Sequence, residues 1–127
     1  ALGGLLGYER ESQGKSAGVR THMLVAIGAA LFVLIPQQAG ASSADLSRIL
    51  QGLIAGVGFL GTGAIIMGNR EVETRGLTTA ASIWVTAAIG VAAGMGRETT
   101  AVLSTLIALL ILSVVPWIYR TKNQNKE

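Results

Sequence analysis

The sequence predicts an all-α, polytopic membrane protein of about five transmembrane helices, the first of them truncated. Half of the 127 residues are hydrophobic and only 13% are charged, whereas a soluble domain carries about 25% charged residues. The charges also stand in short clusters, and the uncharged stretches between them are long enough to cross a hydrocarbon core of roughly 30 Å. We therefore expect one membrane domain over residues 1–120 and a cytoplasmic tail over residues 121–127.

The first element, residues 1–7, is apolar but too short to cross a bilayer. We interpret it as the end of a helix whose beginning is missing, and a terminus left by signal-peptide cleavage is the alternative. Four longer stretches contain no acidic or basic residue apart from His22. They cover residues 21–36, 49–68, 76–96 and 99–119, and the last three match the usual length of roughly 17 to 25 residues for a spanning helix. The first reaches that length only if it continues past Pro36.

The basic residues predict the orientation of the chain. Eight of them lie in the first loop, the third loop and the C-terminal tail, whereas the other two loops hold only Arg48 and Arg97. Because basic loops stay on the cytoplasmic side, the C terminus is expected in the cytoplasm of a bacterial cell. The net charge of +3 then needs no nucleic-acid partner. The chain has no cysteine, which excludes thiolate metal sites, and no cofactor is expected.

The second of the long stretches is rich in glycine. On a helical wheel, Gly52, Gly56 and Gly63 fall within roughly 40° of one another, while Gly58 and Gly61 lie on roughly the opposite side. Small residues let helix backbones approach each other in lipid, where the hydrophobic drive for association is weak. We predict that this helix packs between two neighbours at the centre of the bundle. A broken helix whose free carbonyls bind cations is the alternative.

The next stretch carries a stripe of small and hydroxyl-bearing residues within about 80° of one another. We expect this stripe to pack against the glycine-rich helix. Trp84 lies in the same helix and is predicted to pack against a neighbour, with its indole N–H bound to a carbonyl or hydroxyl group. The stripe consists of Thr79, Ser82, Thr86, Gly90 and Ala93.

Polar residues flank the predicted first cytoplasmic loop. In one interpretation, the arginines Arg10 and Arg20 bind lipid phosphates and Glu9 pairs with one of them. In the other, Glu9, Arg20 and Arg75 form a buried cluster that locks the helices together or receives a partner. His22 is expected to be a hydrogen-bonded interface residue, and a pH switch is the alternative because the unperturbed pKa of histidine is about 6.5.

At the predicted outer surface, Asp45 precedes the glycine-rich helix. We interpret Asp45 as the N-cap, whose carboxylate accepts hydrogen bonds from the free amides of the first turn, and Arg48 as a side chain that extends to the interface. A cation site at Asp45 is the competing interpretation. It is a weak one, because a single carboxylate provides too few of the oxygen ligands that such a site needs.

Three blocks of the sequence resemble a known family. The blocks "GYERESQGKSAGVRTHMLVAIGAALF", "DLSRILQGLIAGVGFLGTGAII" and "TRGLTTAASIWVTAAIGVAAG" are similar to the characteristic blocks of the MgtC/SapB family of bacterial inner-membrane proteins. That family has a G-x-E-R turn followed by R-T-H, then D-x-S/T-R before G-x-G-F-L-G-x-G, and then R-G-L-T-T-A-A-x-x-W. The resemblance covers about residues 3–96 and keeps the order of the motifs.

The resemblance implies five membrane helices with the N terminus outside, which agrees with the orientation predicted from the charges. It also implies a role in adaptation to low magnesium and, in pathogens, in survival within host cells. The F-type ATP synthase is implied as one target. Many members carry a soluble domain after the last helix, which is expected to be absent or removed here because the chain ends at "RTKNQNKE".

The residues themselves favour a regulator over other classes of protein. An enzyme needs a nucleophile, base or metal in a pocket, and a lone histidine without cysteine argues against one. A coupled transporter usually carries ionisable residues within its spans, whereas these spans offer hydroxyls, amides and backbone carbonyls. We expect a regulator that contacts another membrane protein through its helices and associates with itself as a dimer or higher oligomer. Transport of magnesium or another cation is the alternative.

Overall fold

The chain is described by a computed structural model, which covers the backbone of residues 1–66 and 73–124 and the side chains of residues 1–66 and 76–116. Within these residues the chain forms five α-helices and no strand. The helices are α1 (Leu2–Ser12), α2 (Val19–Gln38), α3 (Ser43–Ile66), α4 (Glu73–Gly94) and α5 (Glu98–Gln124).

Four of the described helices are long and apolar enough to cross a membrane. The spans are Val19–Gln38, Ser43–Ile66, Gly76–Gly94 and Glu98–Pro116, and this confirms the predicted class of polytopic helical membrane protein. α1 has only 11 residues, which is shorter than a bilayer requires. It continues five residues beyond the predicted end, so Glu9 and Arg10 belong to a helix. α2 also continues past Pro36, which lies in its last turn.

α4 is the central helix of the bundle. It packs against α1, α2, α3 and α5, and 44% of its span is buried, compared with 11% of the span in α3. α3 packs chiefly against α4 and has a smaller contact with α2. The prediction that the glycine-rich helix occupies the centre is therefore wrong for the single chain, because α4 has close neighbours on more of its sides.

The contact between α2 and α4 explains the central position of α4. A Cβ atom added to Gly94 would lie 2.5 Å from the carbonyl oxygen of Ala30, and one added to Gly90 would overlap the carbonyl oxygen of Ala26. No side chain fits at either glycine, so the two backbones touch directly, as small residues allow in lipid. The small-residue stripe of α4 thus faces α2 rather than α3, and Ala93 at its edge is exposed.

α1 lies across the first turns of α2 with the same kind of contact. A Cβ on Gly3 would lie 2.6 Å from the carbonyl oxygen of His22, and one on Gly7 would lie 2.5 Å from the Cα of Val19. The N-cap of α2 is Gly18, which has no capping side chain. Glu11 of α1 caps the helix instead, because its Oε2 accepts a hydrogen bond from the Val19 N–H at 2.9 Å.

Two apolar clusters hold the helices together. One joins α2, α3 and α4 through Ala29, Val57 and Ile83. The other joins α1, α4 and α5 through Leu6, Ile89 and Ala101. Because α4 contributes to both clusters, it connects α3 to α5.

Candidate functional site

Three helices bring ionisable and hydroxyl side chains together in a buried polar cluster, defined here as Glu9, Arg10, His22 and Ser82. Glu9 and Arg10 lie near the end of α1, His22 lies in the first turn of α2, and Ser82 lies in α4. His22 is 0% exposed, and the other three members are also buried. The close approach of α1 to α2 places these groups in the interior of the bundle.

Glu9 and Arg10 form a buried ion pair. The Nε–H of Arg10 donates to Oε2 of Glu9 at 2.6 Å. The other carboxylate oxygen, Oε1, is buried and has no hydrogen-bond partner among the described residues. An unpaired buried acceptor is unfavourable by about 1–3 kcal/mol. Arg20 is exposed and stands apart from this pair, and the side chain of Arg75 lies outside the described residues.

His22 connects α2 to α4. Its Nδ1 lies 2.9 Å from the carbonyl oxygen of Gly18, one turn earlier in the chain. Its Nε2 lies 3.2 Å from Oγ of Ser82, and the same hydroxyl lies 2.7 Å from the carbonyl oxygen of Thr79. Both ring nitrogens therefore face a hydrogen-bonding group.

The hydroxyl groups of Ser82 and Thr86 in α4 form hydrogen bonds within the chain. Thr86 donates to the carbonyl oxygen of Ser82 at 2.8 Å, and it is 0% exposed. Trp84, by contrast, is 51% exposed. It lines a cleft of about 230 Å³ between α3 and α4 together with Leu53 and Val57.

The glycines of α3 have two different environments. Gly61 is buried, and a Cβ there would lie 3.4 Å from the Cβ of Ala80 in α4. A Cβ on any of the other four would meet no atom of a neighbouring element within 4 Å; these glycines are Gly52, Gly56, Gly58 and Gly63.

We call Gly52, Gly56 and Gly63 the open glycine face, because they share one side of α3. Beside Gly52 and Gly56 runs an apolar groove of about 440 Å³, whose far wall includes Phe32 of α2. Phe59 and Leu60, in the same stretch of α3, are also exposed. Within the described part of the chain, this face has the thin shape of a helix contact, but no atom of a neighbouring helix lies against its glycines.

The polar residues at the start of α3 form a cap. Ser42 Oγ accepts from the Asp45 N–H at 3.2 Å, and Asp45 Oδ2 accepts from the Ser42 N–H at 3.2 Å and from its hydroxyl at 2.6 Å. This reciprocal pair is a capping box with Ser42 as the N-cap and Asp45 three residues later. The N-cap is thus Ser42 and not Asp45, and the spacing S-x-x-D was the signal for it.

Asp45 and Arg48 are open to solvent. Arg48 Nη1 lies 3.9 Å from Asp45 Oδ1, and both side chains are more than half exposed. The described residues contain no group of three or more His, Cys, Asp or Glu side chains able to hold a metal ion. A cation site at Asp45 would need ligands from outside these residues.

Two features of the site were not found by sequence reasoning. The contact between His22 and Ser82 joins residues 60 positions apart, and no local pattern reports such a pairing. Glu11 caps a helix to which it does not belong. The one available signal was Gly18, which leaves the first turn of α2 without a capping side chain of its own.

Helices long enough to cross a bilayer, joined by backbone contacts at small residues, define a small polytopic helical membrane protein. The chain belongs to the MgtC family, whose sequence profile matches residues 1–121. No solved structure gives a significant match.

Several curated relatives are similar over most of the chain. The putative magnesium transporter YhiD of Escherichia coli K12 is 40% identical over 130 residues, which cover 96% of this chain and 60% of YhiD. Protein SrpB of Synechococcus elongatus is 44% identical, over 88% of this chain and 68% of SrpB. Protein MgtC of Brucella abortus is 40% identical, over 87% of this chain and 45% of that protein. The chain thus spans about half to two thirds of the length of these relatives.

Proposed function

We propose that this protein regulates another membrane complex through helix contacts, as part of adaptation to low magnesium. The observation that supports this most is the open glycine face of α3, where Gly52 and Gly56 are exposed beside an apolar groove. A glycine in a helix interior is unfavourable by roughly 1 kcal/mol relative to alanine. Glycines with no neighbour among the described residues are best explained by a neighbour outside the chain.

The partner proposed for this face is a helix of another membrane protein. Association in lipid relies on close packing between backbones, and Gly52 and Gly56 are four residues apart, the spacing of a small-xxx-small contact. The F-type ATP synthase is the target that the family resemblance suggests. In pathogens, the same regulation would support survival within host cells.

When no target is bound, we propose that a second copy of the chain occupies the open glycine face. The open glycine face carries no charge, so two copies can approach without placing an ion in lipid. We place the protein in the bacterial inner membrane with the C terminus in the cytoplasm, as the excess of basic residues in the first and third loops suggests.

Transport of magnesium or another cation is the second candidate function. The name of the relative YhiD, putative magnesium transporter, favours it. The buried carboxylate of Glu9 also has an oxygen without a partner among the described residues. Against this candidate, that carboxylate already pairs with Arg10 at 2.6 Å, which reduces its attraction for a divalent cation.

Two measurements on the same protein separate the candidates. The protein is first reconstituted in liposomes that contain a magnesium-sensitive dye. It is then added to membrane vesicles in which the F-type ATP synthase pumps protons upon ATP hydrolysis. Gly56→Leu fills the open glycine face, and Gly28→Leu is the matched control because Gly28 also has no atom of a neighbouring element within 4 Å of an added Cβ.

A regulator would leave the magnesium flux at the level of empty liposomes and would change proton pumping. Gly56→Leu would remove that change, and Gly28→Leu would keep it. Magnesium flux at a carrier-like rate that Gly56→Leu abolishes would contradict the regulatory function and establish transport.

A further inference from the structure

We propose that the buried polar cluster is a proton-binding site, in which the His22 ring accepts the proton and the Ser82 hydroxyl accepts the hydrogen bond of the charged ring. The inference rests on the geometry of the cluster and not on the proposed regulatory function. Its ligand is a single proton taken up from water at the end of the bundle that holds the α1–α2 loop.

The hydrogen bonds of the ring fix one of its nitrogens. The carbonyl oxygen of Gly18, 2.9 Å from Nδ1, can only accept a hydrogen bond. Nδ1 therefore carries a hydrogen and donates it in every state of the ring. Only Nε2 is left to gain or lose a proton.

The Ser82 hydroxyl suits both states of Nε2. Its single hydrogen has two acceptors in reach, Nε2 of His22 at 3.2 Å and the carbonyl oxygen of Thr79 at 2.7 Å. When the ring is neutral, the hydroxyl donates to Nε2. When Nε2 is protonated, it donates to Oγ of Ser82, and the hydroxyl turns to the Thr79 carbonyl. The proton adds one N–H bond, and every polar atom of the contact stays paired after the rotation of one hydroxyl.

The charges around the ring come from α1. Glu9 and Arg10 carry opposite charges, and their electrostatic effects on the imidazole oppose each other. Among the described side chains of α4, those near the ring are the uncharged Ser82 and Thr79. Arg20 of α2 is exposed to solvent. Glu9 is already paired with Arg10 at 2.6 Å, so this pair places both a negative and a positive charge near the ring, and the hydrogen bond to Ser82 is the contact that stabilises the charged ring.

Proton uptake would strengthen the contact between α2 and α4. It replaces a neutral hydrogen bond between hydroxyl and imidazole by one from a charged donor, and charge-assisted bonds are roughly twice as strong. The bond lies one turn before Ala26, where α2 begins its backbone contact with Gly90. The site would thus make the contact between α2 and α4 sensitive to the local pH.

The single histidine makes the test direct. Since the chain contains one His, ¹⁵N-labelled histidine gives signals from one ring in the full chain in lipid bicelles. We expect the Nε2 signal to change from an unprotonated to a protonated nitrogen in one transition between about pH 5 and 8, while Nδ1 stays protonated. An Nε2 signal that does not change across this range would overturn the proposal.

Variants then test the roles of Ser82 and Glu9. Ser82→Ala removes the acceptor of the charged ring, and Glu9→Gln removes the carboxylate that offsets the positive charge of Arg10. Glu9→Gln should move the midpoint of the transition to lower pH by about one unit, the size expected for a neighbouring opposite charge. Ser82→Ala should move it in the same direction, because the charged ring loses its hydrogen-bond acceptor. Thr105→Val is the control, because Thr105 is a buried hydroxyl that binds the Ala101 carbonyl in α5, and it should leave the midpoint in place.

A midpoint that Ser82→Ala or Glu9→Gln leaves unchanged would show that the ring titrates independently of the cluster, which contradicts the proposal. Circular dichroism of each variant confirms that it is folded. If a variant does not fold, the titration of the unmodified chain decides the question.

Discussion

α3 and α4 are both helices rich in small residues, yet they have opposite positions in the bundle. α4 has 44% of its span buried, and two of its glycines, Gly90 and Gly94, touch the backbone of α2. α3 has 11% of its span buried, and Gly52 and Gly56 face open space. Small residues therefore indicate that a backbone contact is possible, and the facing helix decides whether it forms within the chain.

For α4, the facing helix α2 carries small residues at the same spacing as the glycines. Ala26 and Ala30 of α2 are four residues apart, as are Gly90 and Gly94 of α4, and each alanine contacts one glycine. Gly52 and Gly56 of α3 have the same spacing and no such partner in the described chain. We interpret α4 as the helix that builds the single chain, and α3 as the helix that remains available to another one.

The largest effect is expected from filling the contact between α2 and α4. Gly90→Leu places a side chain where even a Cβ would overlap the Ala26 carbonyl. We expect the free energy of unfolding to fall by about 2–3 kcal/mol, the upper part of the range for an overpacked interior. Denaturant unfolding in mixed micelles, followed by circular dichroism, measures it. Gly52→Leu is the control in α3, and an equal loss there would remove the difference between the two helices.

The next effect concerns association rather than folding. Gly56→Leu should weaken self-association by about tenfold, which equals about 1.4 kcal/mol, because the side chain separates two backbones that need close contact. Energy transfer between labelled copies in liposomes measures the association. Unfolding should be unaffected, since Gly56 meets no atom of a neighbouring element. Unchanged association would show that lipid, not protein, covers the open glycine face.

The fold was predictable where the information is local along the chain. The uncharged stretches predicted the four spans, because crossing a bilayer depends on the length and polarity of one segment. Which helices pair was not predictable, because Gly90 and Gly56 look alike in sequence and differ only in what faces them. The same reason explains why His22 was assigned to the polar group near the first loop but its bond to Ser82 was missed.

A smaller effect should come from the cap of α3. Ser42→Ala removes the hydroxyl that accepts from the Asp45 N–H, and loss of an N-cap destabilises by about 1 kcal/mol. The effect should be measurable because α3 has few buried contacts to compensate for it. Asp45→Ala should give a similar loss in the same unfolding experiment. A double variant with twice the loss would contradict a single reciprocal capping box.

The smallest effect is expected from the exposed ion pair of α3. Arg48→Ala removes a contact of 3.9 Å between two exposed side chains, and such pairs contribute at most about 1 kcal/mol. We expect a change below about 0.5 kcal/mol that disappears in high salt. A larger change that persists in high salt would indicate that Arg48 contacts something other than Asp45.

The claim that α3 presents an open contact surface is tested most directly by disulfide cross-linking in native membranes. The natural chain contains no cysteine, so a single Gly56→Cys variant reports one position, and Ile27→Cys reports an exposed position in the middle of α2. We predict that mild oxidation links two copies through residue 56 and leaves the residue 27 variant monomeric. Equal cross-linking at both positions, or none at residue 56, would contradict it.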